Sequence, residues 1–501
     1  MCQVSEDYKD ELEHSAVPSV SKKCVKCKEA IAAVVIRAGH SYCRGCFKEY
    51  FVHKFRAMLG KNRIIFPGEK VLLAVSGGPS SCSLLSLVQE GLSLNAHKKL
   101  RFLPGIAYID EGGATGQSEE ERQRTVAELR AVFKATGFPF YIIPLEQVLD
   151  LPSSVLVAAP AASDQPASAY KAAVDDFIQS ASSICLSPAE QDQTSQPDVQ
   201  GSRTPALRQL MGSVKTLTAK EDLLSTLRQH LLVHTARAEG YSKLMLGDSC
   251  TRLAVKLLTS VSLGRGAQLA QDTGFSDSRY GDITLVRPMR DYSSKEIAYY
   301  NHMFNVPSVF IPGLETKMSD KASIQRLTES FVTRLQADFP HTVSAIYRTS
   351  EKLQTACGSP STADLCDRCL FCMCALDTAV ESASAFNMTL ISEQLSQIKP
   401  SGNVSAELGK QTPDAPPGQC CSSGGGEDCG RAAGGGGCCS SAKVPQTPDL
   451  RSLLCYSCQR TTKDMASVDR LPLYILSEAQ KRQRRSQMRE EISEFLLDDG
   501  D

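Results

Sequence analysis

The stretch VLLAVSGGPSSCSLL, residues 71–85, sets an unbroken apolar run against a Ser-Gly-Gly turn and then a series of small and apolar residues. Five apolar residues in succession suit a strand buried on both faces, and Pro79 suits the first turn of a helix. A strand that passes through glycines into a helix lets backbone N–H groups approach a phosphate, because no Cβ intervenes and the first amides of a helix have no partners within it. Ser76, Gly77 and Gly78 are candidate nucleotide-binding residues on this ground, although no charged side chain follows them.

Outward from this turn the pattern alternates. A helix is expected over 80–94, a strand in RFLPGIAYID ending at Asp110, a helix over 118–136 and a strand in FPFYIIPL. After an interruption it resumes with a helix at 220–238, a strand in SKLMLG ending at Gly247 and a helix at 251–262. A strand in DITLVRPM and a helix in SSKEIAYYNHMF follow. Strands alternating with helices predict an α/β fold with a doubly wound parallel sheet over 71–315. The interruption, about 152–210, is rich in Ala, Ser, Pro and Gln and reads as a flexible insertion. A second, about 400–445, contains SSGGGEDCGRAAGGGGCCSS and reads as disordered, as do residues 1–20. Residues 316–501 otherwise read as a helical, cysteine-rich region.

The chain of 501 residues has a formal net charge of -1, so any contact with nucleic acid must come from a local patch rather than a global field. No apolar run reaches the roughly 18 to 20 residues that span a bilayer, and the first residues are polar and acidic. A cytosolic protein without membrane association is expected, and twenty cysteines in that compartment point to metal sites and reduced thiols rather than disulfides.

Cys24, Cys27, Cys43 and Cys46 form two Cys-x-x-Cys pairs with 15 residues between them, a spacing that can place four thiolates tetrahedrally around zinc. The intervening AAVVIRAGHSY reads as a hairpin that brings the pairs together, over a zinc knuckle spanning 21–50; His40 within it is an alternative ligand. A second group, CDRCLFCMC, holds Cys366, Cys369, Cys372 and Cys374, with Cys455 and Cys458 beyond the glycine-rich insertion. One pair from this group with Cys455 and Cys458 would close a second zinc site. Spacing does not select the pair; the set expected is Cys369, Cys372, Cys455 and Cys458. An iron–sulfur cluster on Cys-x-x-Cys-x-x-Cys is the weaker alternative. Residues 51–70 read as a basic helical linker. Lys48, Lys54, Arg56, Lys61 and Arg63 are candidate phosphate contacts, with Phe47, Tyr50, Phe51 and Phe55 either stacking bases or packing a core. KRQRRSQMR, from Lys481, is a further basic run that reads as a solvated helix.

Several of these segments together resemble a known group. LAVSGGPSSCSLL is similar to the PP-loop of ATP pyrophosphatases, usually Ser-Gly-Gly-x-Asp-Ser, and YIDEGGATGQS is similar to their VDEG segment, which adds Asp110 and Glu111 to the candidate nucleotide site. KLMLGDSCTRLAVKLLTSVSLGRG resembles a later Gly-His-Asn-x-x-Asp helix segment, and VRPMRDYSSKEIAYY resembles a segment of the tRNA-thiolating branch. With the flanking cysteine pairs, the resemblance is closest to the cytoplasmic tRNA 2-thiolation protein 2 family.

That resemblance implies a subunit of the cytosolic complex that forms the 2-thio group of 5-methoxycarbonylmethyl-2-thiouridine at the wobble position of tRNAs for Lys, Glu and Gln. It implies a heterodimer with a catalytic thiolase subunit, which adenylates the uridine C2 oxygen and takes sulfur from a thiocarboxylated ubiquitin-like carrier. Against the catalytic pattern, Ser80 stands at the PP-loop Asp and Pro79 at a Lys. Asp248 replaces a His, Thr251 and Arg252 an acidic pair, and Val255 a Glu. Magnesium and triphosphate positioning should therefore be weak, no catalytic residue is assigned, and Cys82 and Cys250 are expected to be inert buried thiols. Support of tRNA binding and of complex assembly is the role expected for this chain. The alternatives are an autonomous ATP-dependent adenylating sulfurtransferase and a zinc module that binds the carrier.

Overall fold

A computed structural model describes residues 23–37, 40–93, 95–96, 99–158, 169–180, 200–314, 316, 318–350, 352–353, 368–376 and 450–493. The first residues form an antiparallel hairpin, β1 (Val34–Arg37) and β2 (His40–Tyr42), followed by helix α1 (Arg44–Asn62). The α/β portion then runs β3 (Lys70–Ala74), α2 (Pro79–Leu92), β4 (Leu103–Asp110), α3 (Glu119–Lys134) and β5 (Phe140–Pro144). It continues with α4 (Tyr170–Ser180), α5 (Gln200–Ser213), α6 (Leu217–Ala238), β6 (Lys243–Leu246), α7 (Cys250–Ser262), β7 (Ser276–Asp277), β8 (Thr284–Val286) and α8 (Ser294–Phe304). Helices α9 (Ile324–Asp338), α10 (Pro340–Ser350), α11 (Tyr456–Lys463) and α12 (Leu473–Ser493) complete it.

The strand order is β5-β4-β3-β6-β8-β7, parallel except for β7 at the edge. The chain steps from β3 outward through β4 and β5, then returns to the other side of β3 as β6. That reversal opens a crevice at the carboxyl ends of β3 and β6, the place where sheets of this kind bind ligands. The apolar run at 71–75 explains why β3 is central. Val71, Leu73 and Val75 join one buried cluster with Phe47, Phe51, Leu129 and Phe133, whereas Leu72 joins another with Leu207, Leu227 and Ile475. Alternate side chains of a strand face opposite ways, so both faces are covered, by α1, α2, α3 and α8 on one side and α5, α6 and α12 on the other.

Two stretches differ from the compositional reading. Within 152–210, Ser153–Leu156 forms a short 3-10 turn with Val155 and Leu156 buried, and α5 buries Leu207, Leu210 and Met211. Those apolar residues lie at the two ends of a stretch whose average is dominated by Ala, Ser and Pro. The segment at 51–70, read as a basic helical linker, is helical over 51–62 as part of α1, but that helix packs into the core, its Phe51 ring stacking on Tyr300 at 4.0 Å between centroids. The expected insertion at 400–445 and the tail at 1–20 lie outside the described residues. No helix among the described residues is long and apolar enough to cross a membrane.

Candidate nucleotide crevice and metal centres

The Ser-Gly-Gly turn leads from β3 into α2. Gly77 has φ +79, a conformation in which a Cβ is strained, and a Cβ there would also press on Leu129 and Ile311 at 3.0 and 3.1 Å. Its carbonyl accepts hydrogen bonds from the Val309 amide at 2.9 Å and the Cys82 thiol at 3.2 Å. Gly78 is the N-cap of α2, and the nearest atom to a Cβ there is Ser76 Oγ at 3.7 Å. From the next strand, Gly247 lies so close that a Cβ would sit 3.0 Å from Ser81 Cα. The turn, the helix start and the end of β6 thus form a tight backbone junction.

The acidic side chains around the crevice are already paired. Asp110, the last residue of β4, accepts from Arg122 Nε at 2.8 Å and from the Gly112 amide at 2.9 Å. The same guanidinium reaches both oxygens of Glu146, at 2.8 and 3.1 Å, and is itself 5% exposed. Glu111 accepts both Nε and Nη2 of Arg228 on α6, the latter at 3.0 Å. Asp248, beyond β6, lies 3.5 Å from Nε of the buried Arg287. Arg122 stays protonated: burial opposes its charge, but Asp110 and Glu146 hold it above the ordinary guanidinium range. Three carboxylates at the carboxyl ends of β4 and β6 therefore each meet an arginine from another element, where a magnesium ion would need them unencumbered.

Of the catalytic-pattern departures, Thr251 donates to Gln336 at 2.9 Å and accepts the Ser294 amide, Arg252 is exposed, and Val255 packs beside Val332 and Tyr347. Cys82 and Cys250 are buried, and burial pushes each thiol up to about 11, which keeps it un-ionised and inert at neutral pH.

The cysteines form two tetrads. The sulfurs of Cys24, Cys27, Cys43 and Cys46 all lie within 4.8 Å of one another, as do those of Cys369, Cys372, Cys455 and Cys458. Both are built the same way. In each first pair a tight turn ends on a residue in the left-handed conformation, Lys28 at φ 62 or Met373 at φ 57. Its amide donates to the first cysteine's carbonyl at 2.9 or 3.0 Å. In each second pair the first cysteine, Cys43 or Cys455, is the N-cap of a helix and the second lies in its first turn. A helix start favours thiolates, because its amides and dipole face them. A metal–sulfur bond of about 2.3 Å in tetrahedral geometry implies sulfurs about 3.8 Å apart; Cys27 to Cys43 is 4.0 Å and Cys372 to Cys455 is 3.7 Å. The donor set and spacing fit one tetrahedral ion in each tetrad. An iron–sulfur cubane, with each thiolate on a different iron, needs its sulfurs much further apart.

The thiols within each tetrad are unequal: burial and neighbouring thiols push Cys46 up to about 12 and Cys369 well above the usual thiol range, and neighbouring thiols with burial do the same to Cys458, while one thiol in each tetrad is drawn down. Burial opposes ionisation of Cys24, but backbone N–H groups at Cys27, Cys43 and Lys26 outweigh it and draw the thiol down to about 6. Cys372 is held well below the usual thiol range by hydrogen bonds from Cys369, Cys374, Cys455 and Cys458. Four thiolates on a dication leave net negative charge, and Arg265 Nη2 lies 3.7 Å from Cys458 Sγ while pairing Asp222. Cys374 stands outside the tetrad, its sulfur accepting from Arg279 Nη1 at 3.2 Å; Cys366 lies outside the described residues. His40 is exposed, 3.3 Å from Tyr42 Oη, and is not among the residues that converge.

A family model described as "Cytoplasmic tRNA 2-thiolation protein 2" matches residues 323–460. The protein of that name from Danio rerio is 56% identical over 100% of this chain and 99% of its own. That from Homo sapiens is 51% identical, also over 100% and 99%. The chain belongs to the cytoplasmic tRNA 2-thiolation protein 2 family. Among solved structures, the U34-tRNA thiolase NcsA of Methanococcus maripaludis, determined with its 4Fe-4S cluster, is similar with a TM-score of 0.45 and 14% identity, covering 68% of this chain and 89% of that one. At that distance the likeness transfers no residue role.

In this family member the basic positions of α1 separate into two kinds. Lys54 is committed to the interior, donating to Glu296 at 2.9 and 3.1 Å and lying 4.6 Å from the Tyr292 ring centroid. Lys48 pairs with Glu90 at 3.2 Å, and Arg56 is half-buried. Lys61 and Arg63, at the end of the helix, are exposed. Phe47, Phe51 and Phe55 are core residues, and Tyr50 donates to Glu296 at 2.9 Å. Sequence reading missed the arginines that neutralise the crevice, Arg122, Arg228 and Arg287. Their one sequence signal is the presence of arginine on the helices and strand that flank the acidic segments.

Proposed function

We propose that this chain is the non-catalytic subunit of the cytosolic machinery that thiolates C2 of the wobble uridine in tRNAs for Lys, Glu and Gln. It forms a heterodimer with a catalytic PP-loop thiolase, which performs adenylation and accepts sulfur from a thiocarboxylated ubiquitin-like carrier. This chain contributes assembly and tRNA holding. The observation that carries the reading is the self-neutralised crevice: Asp110, Glu111 and Asp248 each face an arginine, and Ser80 stands where the nucleotide-splitting enzymes need an acid. Ser76, Gly77 and Gly78 then act as architecture rather than as an ATP site.

Each tetrad holds zinc in a closed, four-thiolate site. When bound, zinc supplies cross-linking rather than catalysis. In the first tetrad Cys24 and Cys27 tie the hairpin to the start of α1. In the second Cys369 and Cys372 tie the segment before residue 376 to α11, across nearly 80 intervening residues. The test is a reconstituted assay with unmodified tRNA, Mg-ATP and sulfide. The chain alone forms no thiouridine by mass spectrometry, and adding the thiolase partner yields it. Thiouridine from the chain alone overturns the proposal.

A further inference from the structure

The basic run in α12 has no part in the crevice or the tetrads, and its two ends behave differently. In the first half, Tyr474, Ile475 and Ala479 are buried, and Arg482 is anchored by Glu478 at 3.1 Å, by the Leu156 carbonyl at 3.1 Å and by the Arg368 carbonyl beside the second tetrad. From Arg484 to Ile492 every residue is exposed. At about 100° per residue, Lys481, Arg484, Arg485, Met488, Arg489 and Ile492 share an arc of about 140°. Glu490 falls on the opposite side and Glu491 at the edge of the arc.

We infer that this face of α12 is an RNA-docking surface that takes the phosphate backbone of the tRNA. The inference rests on the proposed function for its ligand. The warrant is charge complementarity: Arg484, Arg485 and Arg489 lie on one side of the exposed half of a helix whose root is fixed by Arg482, and Lys481, which donates to Ser153 Oγ at 2.6 Å, lies on the same arc. A lipid surface is the weaker match, because the arc offers two apolar side chains, Met488 and Ile492, where interfacial helices present a broad apolar face. Lys61 and Arg63, at the end of α1, are a separate exposed pair and serve as the control patch.

The experiment compares the full chain, alone and with its thiolase partner, carrying Arg484→Gln, Arg485→Gln and Arg489→Gln together. Binding of an unmodified tRNA transcript is measured by fluorescence anisotropy across a salt series. Wild type should bind with a steep salt dependence, and the triple variant should bind more weakly, its slope in log Kd against log salt shallower by about 3. The melting temperature and assembly with the partner should be unchanged. If wild type binds and the triple variant keeps the same affinity and slope, the inference fails while the proposed function stands. If wild type binds tRNA neither alone nor in the complex, both fail. Loss of partner assembly, or of binding to phosphatidylserine vesicles with tRNA binding intact, also overturns it.

Discussion

Replacing Arg122 by Met tests the self-neutralised crevice most directly. The guanidinium is almost fully enclosed and is the shared partner of Asp110 and Glu146, with contacts of 2.8, 2.8 and 3.1 Å. Removing one member of a buried ion pair leaves an uncompensated charge, which typically costs about 3 to 5 kcal/mol, and here two carboxylates lose their cation. The Gly112 amide still serves Asp110 and Thr204 still serves Glu146, so the lower part of that range is expected. The readout is the urea midpoint followed by far-UV circular dichroism and Tyr emission, the chain having no Trp. Glu146→Gln in the same chain removes one stranded charge. The double variant should therefore recover about 1 to 3 kcal/mol relative to the sum of the two single losses. A loss below about 1 kcal/mol, or one unchanged by Glu146→Gln, would show that Arg122 does not neutralise the crevice.

Gly113→Ala should also destabilise, by about 1 to 3 kcal/mol in the same urea experiment, because the new methyl falls on Glu146 Oε1 and forces the network apart. Cys458→Ser removes one ligand of the second tetrad. Metal per chain by inductively coupled plasma mass spectrometry should fall from about two equivalents to about one, whereas Cys374→Ser should leave it unchanged. His230 is enclosed, bonded to Tyr474 Oη at 2.7 Å and the Phe371 carbonyl at 2.8 Å, and burial pushes its imidazole down to about 4. Its folded value is depressed, so the unfolded chain binds the proton first. Stability is intact above about 6.5 and is lost as pH falls toward 4, by about 3 kcal/mol in total. His230→Gln should flatten that part of the pH profile; an unchanged profile would contradict the assignment.

What could be read in advance followed from local signals. The run 71–75, the Ser-Gly-Gly turn and the alternation through Asp110 and Gly247 were enough for a parallel sheet, because burial on both faces leaves an unbroken apolar strand. Paired cysteines likewise pointed to two sites. The choice of Cys369 and Cys372 over their neighbours was not legible from spacing, since it depends on Met373 entering the left-handed region and on Arg279 occupying Cys374. Lys54 was expected among solvent-facing cations, but Glu296, more than two hundred residues away, draws it inward. The arginines of the crevice were invisible for the same reason. An ion pair between Glu111 and Arg228 exists only once α6 crosses the end of β4. α5 was obscured by averaging, its buried Leu207 and Leu210 diluted by the polar residues before them.

The glycine turn is where architecture and nucleotide binding make opposite demands, and its two glycines separate them. Gly77→Ala places a methyl at φ +79 against Leu129 and Ile311, and should lower stability whether or not a phosphate is ever bound. Gly78 has an ordinary extended backbone, a Cβ there meets nothing closer than Ser76 Oγ at 3.7 Å, and Asp is a favoured N-cap, so Gly78→Asp should fold as well as wild type. The new carboxylate stands at the helix start, where it repels any phosphate that the turn would cradle. In cells lacking this chain, Gly78→Asp should therefore restore 2-thiouridine in tRNA to the wild-type level, and Gly77→Ala should restore it only as far as the protein accumulates. A stable Gly78→Asp protein that leaves the tRNA unthiolated would mean that the crevice works on a nucleotide despite its paired acids. The arginines beside Asp110 and Glu111 would then be groups that the nucleotide must displace rather than permanent occupants.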